Sequence, residues 1–473
     1  MDHSEILDSV EKLQVSGLKA AQQGNFEQAL QCFKHALALD PNQVFIHISV
    51  SHVYVALNEF EEAIAHLNQA LRLQPRQADI YNSLGRLYYK QGRLNEAQPI
   101  LEKALRLDPN CWEAHYNLAH TLAALNQIDR SASHYREVLR LMPNHPTAHY
   151  NLGLAYFSNN EFEEAIKHLN KALELNSDNR EAYPFLGQAY VNLGKIFDAI
   201  ETYEHGLEAT PNHAEMHHNL AILYLRNQEP SKAAIHFNEA YKLDPNNETA
   251  KHMMNSLSGI QESPAAPAQH IAQLFDQYAD YYDEHMKIHL KYQVPSLLRN
   301  AIGRCLGNNP KAGRVLDLGC GTGQCGLVFR DLALEQIGVD LSPKMIEQAH
   351  LLGAYEAVIE TDLNTYLSSP DLEKFDLIIA GDVFVYQGDL EKLFKNVAGA
   401  LYSEGLFAFT TEYLATGTYY LQTTGRFAHS NEYIHDLAKQ NNLQVELEED
   451  ISPREQSGSP IQGRLYVLKL LTK

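Results

Sequence analysis

The sequence predicts two unlike folds in one chain: an all-α helical array first, then an α/β domain with a mostly parallel sheet. Three observations predict it. Prolines recur at Pro41, Pro75, Pro109, Pro143, Pro211 and Pro245, in steps of 34 residues or twice that. Beyond residue 270, short apolar runs alternate with helix-length segments. A glycine-rich stretch, "RVLDLGCGTGQCGLVF" at 314–329, follows the first of those runs.

Composition sets the limits within which these folds operate. A chain of 473 residues is long enough for two or more domains. Lys and Arg total 38 against 59 Asp and Glu, a net charge of -21. Such a surface repels phosphate, so neither nucleic acid nor an anionic membrane is an expected partner. The five cysteines (Cys32, Cys111, Cys305, Cys320 and Cys325) are scattered, which points to a reducing compartment. Cys320 and Cys325 flank the glycine stretch, but no second ligand pair stands near them for zinc, so no metal is expected. The opening "MDHSEILDSVEKLQ" is acidic and unlike a signal peptide. No apolar run reaches the ~20 residues of a membrane span. The expectation is a soluble cytoplasmic protein, and nothing in the composition sets its oligomeric state.

The array comes first. Alanines keep the proline step at Ala29, Ala63, Ala97, Ala165, Ala199 and Ala233, with Ser131 in the gap. Small residues at a fixed period let paired helices approach, with large residues filling the space beside them. In "ADIYNSLGRLYYKQGRLNEAQPILEKALRLDPN", Leu84, Gly85 and Tyr88 fall on one helix and Ala97, Leu101 and Ala104 on the next. Gly92 permits the turn between them, and Asp108-Pro109 stops the second helix. Seven units run from about 10 to 247, and a capping helix is expected near 247–257, so the array spans 1–257.

On these residues the array resembles tetratricopeptide repeats, whose period is about 34 residues. The resemblance implies a superhelix with a concave groove that holds a protein or peptide. Asn82, Asn117, Asn151 and Asn219 are expected to face it, where their amides either grip a peptide backbone or solvate the helix. His47, His115, His149 and His217 share one repeat phase, which points to packing. "HAEMHHN" at 213–219 lacks the H-E-x-x-H zinc pattern.

"SGIQESPAAPAQ" at 258–269 reads as a stiff linker. From 270 to 473, strands are expected at 314–318, 335–340, 356–360, 375–381, 404–411, 443–449 and 464–471. Helices are expected near 324–333, 343–352, 388–401 and 430–441. The last two strands have no room for a crossover helix, so the final strand of the seven should be antiparallel.

The glycine stretch alone fits two cofactors. Gly321 to Gly326 satisfies the dinucleotide pattern G-x-G-x-x-G; Asp317 to Gly323 satisfies D-x-G-x-G-x-G. Acids at later strand ends choose between them. Asp340 ends the second strand and Asp362 follows the third. Carboxylates suit vicinal ribose hydroxyls and an adenine amine, whereas a dinucleotide requires only one of these acids.

With these features the segment 270–473 resembles the Rossmann-like class I S-adenosylmethionine-dependent methyltransferases. The resemblance implies S-adenosyl-L-methionine as cofactor. It assigns the ribose to Asp340 and the adenine to Asp362, with Leu341, Met345 and Leu363 beside the ring. Gly319, Gly321 and Gly323 would line the methionine moiety, with Asp317 near its amine. "HIAQLFDQYADYYDEHM" at 270–286 resembles the leading helix of small-molecule methyltransferases, and Tyr278 or Tyr282, on a face shared with Phe275, is expected to close the site.

Strand ends at the carboxyl edge line the crevice of such sheets. Gly381 and Asp382 should therefore approach the cofactor, with Tyr386 facing the acceptor. Neither N-P-P-Y nor a Pro-Cys pair occurs there, which disfavours nucleic-acid and amide acceptors. The tyrosine-rich 411–434 reads as an acceptor-side loop. His429 in it is the candidate general base, and Glu412 and Arg426 are candidate acceptor contacts. The implied function is a methyltransferase whose repeats recruit a protein substrate. The alternatives are a small-molecule methyltransferase with repeats used for assembly, and an inactive cofactor-binding adaptor.

Overall fold

The computed structural model describes residues 3–261, 263–276, 279, 282–306, 313–456 and 459–472. It divides into two compact units, Met1–Pro211 and Asn212–Lys473. The division falls one repeat and the capping helix earlier than the expected boundary at residue 257.

The first unit is an array of antiparallel helix pairs, from α1 (His3–Gln22) and α2 (Phe26–Leu39), through α5 (Ala78–Lys90) and α6 (Leu94–Leu107), to α11 (Ala182–Asn192) and α12 (Ile196–Ala209). Ala29, Ala63, Ala97, Ala165 and Ala199 have no exposed surface, and neither does Ser131. Ser131 is tolerated among them because its hydroxyl donates to the Ala119 carbonyl at 2.8 Å. The helices touch so closely that a Cβ on Gly85 would sit 2.4 Å from Leu101 Cγ.

A second periodic feature is the turn within each pair. Gly24, Asn58, Gly92, Asn126, Asn160 and Gly194 all have φ between 59° and 77°. Gly and Asn are the residues that enter this left-handed region at least cost. The histidine phase is indeed packing. His47, His115 and His149 each place Nδ1 within 3.0 Å of a second imidazole 19 residues on (His66, His134 and His168), and Nε2 near a proline carbonyl. Two of the recurring asparagine amides are spent between neighbouring repeats, Asn117 donating to Asn82 at 2.8 Å and Asn151 approaching His120 at 3.4 Å.

The second unit begins with the last repeat, α13 (Ala214–Arg226) and α14 (Pro230–Leu243), and the capping helix α15 (Glu248–Ser258). Its turn residue, Gln228, keeps the left-handed φ of 60°. The stretch expected to be a linker is instead fastened to the α/β domain. The Pro264 carbonyl accepts from the Gly388 and Asp389 amides at 2.8 Å, and the Ala266 amide donates to the Tyr386 carbonyl at 2.9 Å. Proline lacks an amide hydrogen but keeps its carbonyl, so a Pro-rich strip still forms such a bridge. Then come α16 (Ala268–Asp276) and α17 (Val294–Cys305).

The sheet follows: β1 (Gly313–Leu318), β2 (Ala333–Asp340), β3 (Ala357–Glu360), β4 (Phe375–Ala380), β5 (Leu401–Leu414), β6 (Tyr419–Leu421), β7 (Phe427–Ser430), β8 (Leu443–Ile451) and β9 (Gly463–Leu470). The order is β3-β2-β1-β4-β5-β9-β8, parallel from β3 through β5 and antiparallel at β9. Helices α18 (Gln324–Phe329), α19 (Pro343–Leu352), α20 (Leu363–Leu367), α21 (Glu391–Ala400) and α22 (Asn431–Gln440) complete the domain. Strand residues alternate between two buried layers: Leu316, Ile378 and Phe407 face one, and Val315, Leu377 and Ala408 the other. The expected strands all form. The tyrosine-rich loop adds two more, β6 antiparallel to β7 and β7 parallel to β5. At three and four residues they are too short for an alternation to announce them.

Candidate functional site

In the sheet, β1 leads to β2 on one side and β4 lies on the other, so the chain reverses direction of travel between β1 and β4. Loops diverge at such a point and leave a crevice beyond the strand ends. A cleft opens there, and the residues predicted from the sequence supply most of its lining: Gly319 and Gly321 after β1, Asp340 and Leu341 at the end of β2, Asp362 and Leu363 after β3, Gly381 and Asp382 after β4, then Tyr386. Ile271 and Phe275 of α16 and Tyr282 close over it, leaving about 80 Å3. The Phe275 ring stands edge-on to both Tyr282 and Tyr386.

Local chemistry holds these groups in place. The Asp340 carboxylate accepts from the Gly321 amide and the Ser342 amide, both at 2.9 Å. One strand-end acid thus fixes the glycine loop of its neighbour. Burial raises the pKa of Asp340, opposed by those backbone bonds. Gly321 has φ 53°, and a Cβ there would meet nothing within 4 Å. The Asp362 carboxylate caps α20 by accepting from the Thr365 amide at 3.1 Å. Ser342 donates its hydroxyl to Asp276 at 2.6 Å, tying α16 to the turn after β2.

Other predicted residues lie elsewhere. Asp317 is buried behind the glycine loop, where its carboxylate accepts from the Tyr355 hydroxyl at 2.6 Å. Burial pushes its pKa up to about 7, the Tyr355 bond opposing and the Asp340 charge adding. Gly323 packs toward Leu352 and Tyr355, and Met345 is fully buried at the start of α19; neither lines the cleft. Tyr278 lies outside the described residues. His429 is not brought to the cleft. It is buried in β7 with Nε2 against the Gly388 carbonyl at 3.0 Å, and burial drops its pKa to about 4. The candidate base is therefore a neutral core histidine, because β7 pairs into the sheet where a loop was expected.

Glu412 and Arg426 do come close to the cleft, together with a residue the sequence did not single out. Arg454 is buried, and its guanidinium grips the carboxylates of both Asp382 and Glu412. Glu412 also accepts from Gln422 at 2.9 Å. Asp382 carries φ 61°, and its amide donates to Thr410 at 2.9 Å. A non-glycine residue held left-handed at a cleft needs such fixing from several sides. Arg454 sits in the turn-rich connection between β8 and β9, where no periodicity distinguishes it. The Arg426 guanidinium lies over the Tyr386 ring, 5.9 Å from its centre. Beside the cleft is a larger cavity of about 890 Å3, and Tyr386 lines both. Among the described residues no helix is long and apolar enough to cross a membrane, and no group of three or more His, Cys, Asp and Glu could hold a metal.

Similarity to known proteins falls separately on the helical repeats and on the α/β domain. Models described as tetratricopeptide repeats match residues 13–43, 83–140, 146–179 and 186–248, and a TPR repeat model matches 52–92. A model described as a methyltransferase domain matches 316–407. The chain is 30% identical over 148 residues to malonyl-[acyl-carrier protein] O-methyltransferase of Pseudescherichia vulneris, covering 31% of this chain and 55% of that protein. It is 35% identical over 83 residues to human methyltransferase-like protein 27, covering 17% and 34%. The match thus spans about half the length of the first of these relatives and a third of the second. Similar solved structures include YrrB, a TPR protein with an unusual peptide-binding site (22% identity, 39% of this chain and 96% of that one, TM-score 0.38). Another is the C-terminal part of a TPR repeat-containing protein from Cytophaga hutchinsonii (19% identity, 50% and 96%, TM-score 0.44). The chain carries tetratricopeptide repeats on its N-terminal side and a methyltransferase domain on its C-terminal side.

Proposed function

We propose that this chain is an S-adenosylmethionine-dependent methyltransferase whose repeats recruit a protein substrate. The observation that carries the reading is convergence: Gly319, Gly321, Asp340 and Asp362 come from three strand ends into one cleft, and Tyr386 joins that cleft to a cavity large enough for an acceptor. The donor set fits the cofactor. Asp340 and Asp362 offer carboxylates to a diol and an amine. Leu341, Leu363 and Val383 offer apolar contact to a base, and the open side of Gly321 admits close approach. A cleft of about 80 Å3 is smaller than the ~300–1,000 Å3 of ligand sites, so the side chains of α16 and Tyr282 must give way when the cofactor enters. Five free thiols suit a reducing, cytoplasmic setting.

When bound, S-adenosylmethionine supplies an electrophilic methyl group. The chain's own task is then alignment and exclusion of water. Phe275, Tyr282 and Tyr386 wall the cleft with aromatic surface. Arg454 fixes Asp382 and Glu412 at its edge. Arg426, over Tyr386, is placed to donate to a carbonyl oxygen of the acceptor. His429 takes no part in proton transfer, and an acceptor that arrives deprotonated needs no base.

Two measurements test the reading. Asp340→Ala removes two backbone-anchoring bonds and the diol's acceptor, and should weaken S-adenosylhomocysteine binding by about 1.5–3 kcal/mol in calorimetry. Unchanged affinity refutes the assignment. Incubating the protein with methyl-labelled cofactor and a cell extract should place label in a protein band. Label confined to the small-molecule fraction supports the second reading, a small organic acceptor, which the size of the cavity favours. No label in either fraction points to the adaptor.

A further inference from the structure

The cavity beside Tyr386 has two walls of different origin, both within the unit Asn212–Lys473. One is catalytic, with Tyr386, Arg426 and Arg454. The other is helical: His218 and Asn219 of α13, Asn247 at the head of α15, and His270 and Gln273 of α16.

The helical wall is fastened to the catalytic one. His252 of α15 pairs with the Gly425 carbonyl at 2.9 Å. The Ser256 hydroxyl donates to the Gln422 carbonyl at 2.6 Å and accepts from the Gly425 amide at 3.1 Å. The Gln261 side chain bonds both the amide and the carbonyl of Leu421, at 2.6 and 3.1 Å. A Cβ on Gly425 would stand 3.0 Å from Met253 Sδ. The loop 421–426, which presents Arg426 to the cavity, is therefore shaped by the capping helix of the repeats. The repeats do more than tether the enzyme.

The chemistry of the helical wall selects its ligand. Burial lowers the pKa of His218 and takes that of His270 down to about 4, with His252 and His218 adding to the latter. The side-chain amides of Asn219 and Gln273 and the imidazole of His270 each carry both a donor and an acceptor, as the alternating N–H and C=O groups of an extended peptide require, whereas Asn247 already accepts from the Ala250 amide at 2.9 Å and stands 3.5 Å from His218 Nδ1. Charge adds a filter: the cavity is lined by Glu215, Asp244, Glu248, Asp276 and Glu455 against Arg226, Arg426 and Arg454, and Arg454 is already held by Asp382 and Glu412. Acidic segments are disfavoured there by like-charge repulsion.

We infer that the last repeat and the catalytic domain together form one peptide-binding site, which takes an extended, uncharged or basic segment whose reacting side chain turns in at Tyr386. Only the clause about the reacting side chain rests on the methyltransferase reading.

The test uses the full chain and two fluorescein-labelled octapeptide pools of equal length, one Lys-containing and one Glu-containing, titrated by anisotropy. The Lys pool should bind and the Glu pool should not. Glu215→Gln combined with Glu248→Gln should weaken the Lys pool about fivefold, and Asn219→Ala should weaken it further. The affinity for S-adenosylhomocysteine should stay unchanged in each variant. If the double variant fails to fold, Glu248→Gln alone, at an exposed position, carries the measurement. The inference is overturned if neither pool binds, if the Glu pool binds as tightly, or if the variants leave Lys-pool affinity unaltered. Pool binding without methyl transfer in the labelled-cofactor assay upholds the composite site and sinks the enzymatic reading. Protein labelling without pool binding does the reverse.

Discussion

The repeats and the methyltransferase domain solve the same problem, how to bury polar groups, over very different distances along the chain. In the repeats the partners are near in sequence and the solution is copied. His47 meets His66, His115 meets His134 and His149 meets His168, always 19 residues apart. In the methyltransferase domain Arg454 reaches 72 positions back to Asp382 and 42 back to Glu412, and the arrangement occurs once among the described residues. Copied local contacts spread their loss over many sites. A single long-range cluster concentrates its loss at one.

The sharpest way to break this contrast is Arg454→Met. Removing the cation strands the buried carboxylate of Glu412 and the part-buried one of Asp382, and breaking such a cluster costs about 3–5 kcal/mol. The thermal transition of the unit Asn212–Lys473 should fall by many degrees while that of the unit Met1–Pro211 stays in place. Scanning calorimetry would show both. Equal shifts in the two transitions would refute the separation.

Next in size is Asp317→Asn, which exposes an opposite response to pH. The folded pKa of about 7 lies above the ordinary 3.8, so the contribution of Asp317 to stability is full below about pH 3.8 and is lost as pH rises through 7. An amide at this position keeps an acceptor for the Tyr355 hydroxyl and carries no charge. At pH 8 the variant should be more stable by about 2 kcal/mol; the gain should shrink at pH 5 and vanish below about pH 3.8, measured by urea unfolding.

Gly85→Ala comes third. Its Cβ meets Leu101 at 2.4 Å, and relieving such overpacking costs about 1–3 kcal/mol. Because each repeat leans mainly on its neighbours, the loss should appear as faster hydrogen exchange centred on α5 and α6, with α11 and α12 unchanged.

The smallest effect per residue belongs to the histidine pairs. Burial first, then the partner imidazole, takes His66, His134 and His168 down to about 4. Folded values below the ordinary 6.5 mean that their contribution is complete above pH 6.5 and is lost as pH falls toward 4. The melting temperature of the repeats should decline between pH 6.5 and 5, before most carboxylates titrate. His66→Gln should flatten part of that slope. A flat profile in the parent protein would show that the pairs are inert. Asp317 and the histidine pairs thus respond to pH in opposite directions.

The difference in distance also explains what could be read in advance. The repeat period, its small buried residues and its proline stops are all local, and each copy confirms the others. The sheet strands were legible for a related reason, since apolar runs buried on both faces leave a continuous mark. Asp340, Asp362, Gly319 and Gly321 were legible because they sit at fixed offsets from strand ends. His429 misled because its chemistry was judged without its neighbours; pairing of β7 with β5 buries it. Arg454 was invisible because its partners are brought to it only when β8 and β9 close the sheet. Residues 258–269 read as a linker because Pro and Ser carry no periodicity, yet their carbonyls and amides bond to the 386–389 loop.

The sequence by itself determined the longer elements: the repeat helices, the seven strands of the main sheet, and which acids and glycines stand at the strand ends. Those follow from backbone preference and burial over a few turns of chain. Only the tertiary structure decided which polar groups are neutralised and which face open space, because desolvation and ion pairing depend on neighbours brought in from distant parts of the chain. The capping helix shows this most plainly. Its own residues predict a helix, and only the fold makes it a support for the loop beside Tyr386.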